Sequence, residues 1–359
     1  MKKVYGSSSE VFGFLSGKAL IIAVVLTINC KLETTNCFSQ DLHFSQTFNT
    51  PLVLNPSYCG AFDGQLRLMN SFKYQWSSVS DKPYKTFFCS VDKPFFNKKL
   101  CAGLIFFNDK AGDSDMSTTQ AEWVVSTQLK AAEKDNVSAG LQMGYGQRKF
   151  DSQNLVWDNQ WNGATFNDQL PSNEPVASTG FGYFDLSSGV NWNHAVSDNN
   201  KFRIGVAAYH LNNPSFSFMY DNKEKLNIKF STSGTWEVKS KKHSNTTYLF
   251  TSAWLRQGTA NEIDISAIAR QELGLNSLYT GNNVSSNFLW GFLWRWNDAV
   301  APYVGFEYKK GLSVGVSYDV NYSGLHVASY ARGGFEIHLA YRLVNQKIVV
   351  ETTAPSLQQ

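Results

Sequence analysis

From Gln65 to Tyr341 the sequence alternates between apolar and polar residues with a period of two. Successive side chains of a strand point to opposite faces, so extended segments of such a chain present one apolar and one polar face. Leu66, Leu68, Phe72, Tyr74 and Trp76 share one parity, and Gln65, Arg67, Lys73 and Gln75 share the other. Val137, Ala139, Leu141, Met143 and Tyr145 alternate with Ser138, Gly140, Gln142, Gly144 and Gly146. Phe288, Trp290, Phe292, Trp294 and Trp296 place five aromatics on one face of one strand. Water does not tolerate such a row, and a soluble sandwich needs a second sheet over every apolar face. Further sets fall at 87–91, 100–107, 123–129, 186–192, 202–208, 226–230, 248–254, 263–269, 300–308, 312–318 and 335–341. The 100–107 stretch is apolar on both parities and reads as a strand with a tightly packed inner face. About 14 strands, an even number, predict an all-β, transmembrane, outer-membrane antiparallel β-barrel with lipid on its apolar side.

Composition narrows the alternatives. No apolar run reaches the roughly 20 residues that a membrane-spanning helix needs, and mean hydropathy is −0.28. A net charge of +3 lacks the basic footprint of a nucleic-acid partner. Aromatics make up 14% and charged residues 17%, which suits strands that meet lipid.

The N-terminus reads as a targeting segment. Lys2, Lys3 and Lys18 precede a short apolar core, Ala19 to Ile28, and Cys37-Phe38-Ser39 supplies small residues at −3 and −1. This order predicts a signal peptide over 1–39, cleaved before Gln40. Thr27-Ile28-Asn29 fits a lipoprotein signal at Cys30 poorly. The remaining division is a periplasmic segment over 40–64, the barrel over 65–343 and a mobile tail over 344–359. Three cysteines remain after cleavage, Cys59, Cys89 and Cys101. An odd count argues against a full disulfide framework and leaves one bridge possible.

Spacers differ in length. Segments 131–136 and 197–201 are short, whereas 148–180 is long and carries Trp157, Trp161 and Phe166. Barrels keep periplasmic turns short and outer loops long, so 148–180 falls outside, and its three aromatics are candidate partner anchors, or else the loop folds on itself or plugs the barrel. The 272–286 spacer is too long for the periplasmic turn that its order demands.

Motifs for catalysis or metal binding fail their structural tests. Gly311 to Gly315 matches G-x-S-x-G around Ser313, but that motif needs a strand-to-helix turn, and Ser313 lies in an alternating strand. Asp109, Asp113 and Asp115 surround Gly112 without completing a calcium loop. The six histidines show no zinc spacing. No cofactor, metal or catalytic residue is expected.

Several runs resemble the PorP/SprF family of type IX secretion system membrane proteins. They are Gln40 to Gln46, then Pro51 to Gly60 with Asn55, Pro56 and Gly60, where the family usually carries Ala at the position of Cys59. Gln75-Trp76 with Pro83 to Thr86 resembles its first hairpin. Asn108 to Asp113, including Asp109, Lys110, Gly112 and Asp113, and Ser117 to Gln120 resemble its second outer loop. Leu312 to Asp319, ending in Tyr318 and Asp319, with Ser323 to Leu325, resembles its penultimate strand, and Phe335 to Arg342 its closing one. The chain departs from the family in the 272–286 segment and in the tail beyond Arg342.

The resemblance implies a non-enzymatic outer-membrane barrel of the Bacteroidota that serves protein secretion and gliding. It implies as partners a secreted adhesin with a C-terminal targeting domain, or the periplasmic ring and a peptidoglycan-binding protein. The competing expectation is a free-standing transport barrel for small or apolar solutes, since about 14 strands can enclose more than side chains fill.

Overall fold

The computed structural model describes residues 41–344, except 97, 113, 152–154, 156, 168, 172–178, 220–223, 241–244, 275–285, 310 and 325. The expected signal peptide, Cys30, the cleavage site, Asp113, most of the anomalous 272–286 spacer and nearly all of the tail lie outside the described residues.

Fourteen strands are described: β1 (Leu66–Gln75), β2 (Tyr84–Phe95), β3 (Leu100–Ala111), β4 (Met116–Lys130), β5 (Asp135–Lys149), β6 (Gly180–Ser197), β7 (Asn200–Tyr209), β8 (Lys229–Lys239), β9 (Thr246–Gln257), β10 (Ala260–Leu273), β11 (Ser286–Arg295), β12 (Ala299–Tyr308), β13 (Leu312–Asn321) and β14 (Arg332–Leu343). Each pairs antiparallel with the next. β1 pairs with β14 from Leu66↔Leu343 to Gln75↔Gly334, closing the barrel. Closure leaves no strand edge with unpaired backbone groups, the condition for crossing lipid as a sheet. Strands of 10 to 18 residues are long enough to cross at a tilt. No helix among the described residues is long and apolar enough to span a membrane.

The parity read from sequence is the parity of the wall. In β4, Trp123 and Leu129 are exposed outward at 68% and 61%, while Glu122 and Ser126 are buried inward. Phe288, Trp290, Phe292 and Trp294 line the outside of β11, with Asn287, Leu289, Leu293 and Arg295 inside. One set is displaced: apolar residues at 226–230 mark β8 early, because the strand starts at Lys229. Its outward row is Phe230, Thr232, Gly234, Trp236, too polar to stand out, and Leu226 is instead buried in the preceding connection.

The connections after β5 and β7 (150–179 and 210–228) share one end of the barrel with those after β1, β3, β9, β11 and β13. By the length rule this is the outer end. The chain enters β1 and leaves β14 at the opposite, periplasmic end.

Residues 41–64, expected as a periplasmic segment, lie inside the barrel. Phe44, Leu52, Leu54 and Tyr58 pack against inward-facing Met69, Phe88, Cys101, Ile105 and Val124. Phe48 packs against Ile268, Leu289, Leu293, Ala301 and Tyr303 on the far wall. This explains the doubly apolar 100–107 stretch: Leu100, Leu104 and Phe106 meet lipid, while Cys101, Ile105 and Phe107 meet the plug. Burying a side chain the size of Phe44 or Leu52 stabilises by about 1.5–3 kcal/mol, which offsets the ordering cost of one or two plug residues.

Candidate functional site

The plug is held at four levels, starting near the outer end. Asp41 accepts from His210 Nε2 at 2.7 Å and Lys229 Nζ at 2.8 Å, and its amide donates to Gln257 Oε1 at 3.1 Å. These partners sit where β7 ends, β8 begins and β9 ends. The second nitrogen of His210 faces Asp185 Oδ1 at 2.8 Å. Burial works against the Asp41 carboxylate, but His210 and Lys229 outweigh it and hold the group well below the usual carboxylate range.

At the second level, buried carboxylates grip the plug backbone. The amides of Ser45 and Gln46 donate to Glu336 at 2.8 and 3.0 Å. Ser45 Oγ donates to Asp319 Oδ2 at 2.8 Å, and Arg295 donates to both Ser45 Oγ and Asp319 at 2.9 Å. Lys73 Nζ stands 3.9 Å from Asp319. Charges this deep are tolerated only when paired, and here the pairing runs across β1, β11, β13, β14 and the plug.

Asn55, Pro56 and Ser57 form the third level. Asn55 Oδ1 accepts from the amide and hydroxyl of Ser57 at 2.9 and 2.6 Å, closing a local turn. Its Nδ2 donates to the carbonyls of Val190 and Val206 at 3.1 Å each. Asn191 Nδ2 donates to Ser57 O at 3.0 Å and Ser57 Oγ at 2.8 Å. The turn rests on bare backbone. Gly140 and Gly189 are register partners on β5 and β6, with Gly205 beyond on β7. A Cβ on Gly140 would stand 2.5 Å from Pro56 C and Ser57 N, and one on Gly205 would stand 2.6 Å from the Tyr58 hydroxyl.

The fourth level is at the periplasmic end. Asp92 takes Arg67 in a two-pronged pair at 2.9 and 2.8 Å and also accepts from the Gly60 amide at 2.8 Å. Arg67 reaches Tyr58 O at 3.2 Å. Gly60 has φ +72°, a backbone state that favours glycine.

Above the plug stands an aromatic outer rim. Phe218 packs edge-on against Phe150 and Phe181 at 4.9 and 4.8 Å, and Phe216 against Phe181 and Tyr183 at 5.3 Å. This cluster ties the bases of the two long connections together. Farther out, Trp161 and Phe166 form an antiparallel bridge with rings 5.0 Å apart. Asn162 Oδ1 closes the turn between them by accepting from the amides of Ala164 and Thr165 at 3.0 and 2.9 Å. Both aromatics are exposed, at 49% and 55%, while Trp157 is half-buried.

The residues singled out from sequence therefore divide. Asn55, Pro56, Gly60 and Asp319 converge on the plug. Asp109 accepts from Thr86 Oγ1 at 2.6 Å on the inner wall, whereas Asp115 pairs with Lys82 in the turn that starts at Gly112, so the two do not converge. Lys110 is exposed beside that turn, and Tyr318 faces lipid. Ser313 stands in β13 opposite Glu307 and Ala340, not on a strand-to-helix turn. Sequence reasoning missed Asp41, Arg67, Asp92, Asp185, His210, Arg295 and Glu336 as anchors. Arg67, Asp92, Asp185, His210, Arg295 and Glu336 carry only the mark of charge on the inward parity of a strand or beside its end, and Asp41 that of a charge in the Gln40 to Gln46 run.

The profile of the family described as "Type IX secretion system membrane protein PorP/SprF" matches residues 36–341, which include every anchor named above. No curated protein matches the chain. Among solved structures, the Ralstonia pickettii toluene transporter TbuX is 9% identical, over 82% of this chain and 94% of its own, with a TM-score of 0.46. A Pseudomonas aeruginosa FadL homologue is 10% identical, over 80% of this chain and 92% of its own, at 0.44. The KdgM porin is 8% identical, over 77% of this chain and 99% of its own, at 0.36. The match over most of its length makes this chain a member of the PorP/SprF family, an outer-membrane β-barrel of the type IX secretion system.

Proposed function

We propose that the chain is a plugged, non-enzymatic docking barrel that holds a partner protein for the type IX machinery instead of passing solutes. The observation that carries this reading is the lumenal plug, anchored at four levels beneath a rim that keeps Trp161 and Phe166 exposed. Exposed aromatics on a braced loop lose little entropy on binding, which is why such residues dominate interface energetics. On the outer side the partner is a secreted adhesin with a C-terminal targeting domain. On the periplasmic side the partners are ring and peptidoglycan-binding components.

The test is the double variant Trp161→Ala/Phe166→Ala, assayed for surface display of the adhesin recovered with the tagged barrel. Display is expected to fall at least tenfold while the barrel stays in the outer membrane and keeps its heat-modifiable mobility on gels. Unchanged display with an intact barrel sinks the docking reading.

One observation favours the transport alternative. At the periplasmic mouth a polar cavity of about 290 Å³ lies among Asp63, Lys239, Arg270, Glu272, Glu307 and Arg342. A purified barrel with steady open conductance in planar bilayers, together with normal secretion in a deletion strain, decides for transport.

A further inference from the structure

Two of the three cysteines left after the expected cleavage meet inside the barrel. Cys59 ends the Asn55–Tyr58 turn of the plug, and Cys101 faces inward from the start of β3. Both are fully buried, and their sulfurs lie 2.6 Å apart, 42 residues apart in sequence. The backbone on each side is fixed. Ser126 Oγ donates to Cys59 O at 2.8 Å, and the Gly60 amide donates to Asp92 at 2.8 Å. A Cβ on Gly60 would fall 2.7 Å from Cys101 Cβ, so plug and wall are in close contact here. Cys89 lies on the outward parity of β2 and cannot join them.

We propose that Cys59 and Cys101 are a disulfide in the mature protein, a covalent tether of the plug to β3. Two S–H bonds break and one S–S bond forms. The two electrons and two protons pass to the disulfide of a periplasmic thiol oxidoreductase, which leaves as a dithiol. The outer membrane is assembled from the oxidising side, where such bonds persist. Exchange needs a thiolate. Once seated, the neighbouring Cys101 thiol and burial hold the Cys59 thiol far above its ordinary range, so the bond forms before or during seating.

The competing occupant of this cluster is a metal ion, because Asp92 lies beside both sulfurs. Its two oxygens are already taken by Arg67 and the Gly60 amide. Two thiolates on a tetrahedral zinc, with bonds of about 2.3 Å, stand about 3.8 Å apart, farther than these sulfurs.

The test uses the full protein isolated from outer membranes, unfolded in N-ethylmaleimide without reductant, digested and read by mass spectrometry. The expected result is a linked Cys59–Cys101 peptide pair, with label on Cys89. Label on both Cys59 and Cys101 overturns the proposal, and one equivalent of zinc in the native protein with all three thiols labelled replaces it with a metal site. A second measurement uses Cys59→Ala. Reductant is expected to lower the melting temperature of the wild-type barrel by several degrees and to leave the variant unmoved. Equal shifts in both overturn the tether.

Discussion

Replacing Gly140 by Ala is the sharpest probe of the plug seat. Alanine suits β5 itself, so the barrel ladder loses nothing. The added Cβ, however, would stand 2.5 Å from Pro56 C and Ser57 N and 2.6 Å from Pro56 O. These are backbone atoms and cannot swing aside as a side-chain tip would. The turn must lift, and with it go up to four hydrogen bonds to the wall: two from Asn55 Nδ2 and two from Asn191 Nδ2. At roughly 0.5–1.5 kcal/mol net for each bond, partial loss costs about 2–4 kcal/mol. That is about a 30- to 1000-fold rise in the unseated population. Hydrogen exchange in detergent reads it at the amides of Ser57, Tyr58 and Cys59, which are bonded within the turn. Gly234→Ala is the control, because its Cβ would meet only the Ser252 hydroxyl, at 3.0 Å. Exchange at those three amides should accelerate in the first variant and stay unchanged in the second. Equal protection in both variants refutes the glycine seat.

Other outcomes follow from the same contacts. Arg295→Met strips the buried Asp319 of its guanidinium partner and is expected to destabilise the barrel by about 3 kcal/mol or more; an unchanged melting temperature in detergent counts against the charged lock. Phe292→Lys places a charge on the lipid face, where Phe292 is 60% exposed, and should cost about 2–4 kcal/mol, seen as failure of heat-modifiable barrel to accumulate. The outermost plug anchor should depend on pH in two directions. Asp41 has a depressed pKa, so its contribution is present above the ordinary carboxylate value and is lost as pH falls through the lowered one. Burial opposes the His210 cation, but Asp41 and Asp185 raise its pKa to about 9, so its contribution is complete below about 6.5 and is lost as pH rises to about 9. Protease cleavage near Asp41 should therefore be slower at pH 6 than at pH 10, and equal rates would remove His210 from the anchor.

How far the fold can be read from the sequence depends on the range of the signal. Outward rows such as Phe288 to Trp296 are local, and lipid imposes them on every strand, so strand number and facing follow from parity. β8 slips because Thr232 and Gly234 interrupt its row. The plug is invisible for the opposite reason: its bonds join residues up to 291 positions apart. Gly140 and Gly189 read as small inward residues, and only the strand register shows them as facing partners under Asn55. The doubly apolar 100–107 stretch was the one local trace, since an inward Ile105 needs something apolar to cover it. The Asn55–Pro56–Ser57 run is recognisable by family resemblance, but its seat is not.

The position of the plug constrains the order of assembly. Its second anchor is made by Arg295, Asp319 and Glu336, residues of β11, β13 and β14, and β14 also forms the seam with β1. The plug therefore has no complete set of anchors until the last strand is in place. The second anchor and the barrel seam are thus completed by the same strand. A chain halted before β14 loses more than one strand. It also lacks Glu336, the acceptor for Ser45 and Gln46, and leaves two open strand edges around a plug short of its second anchor.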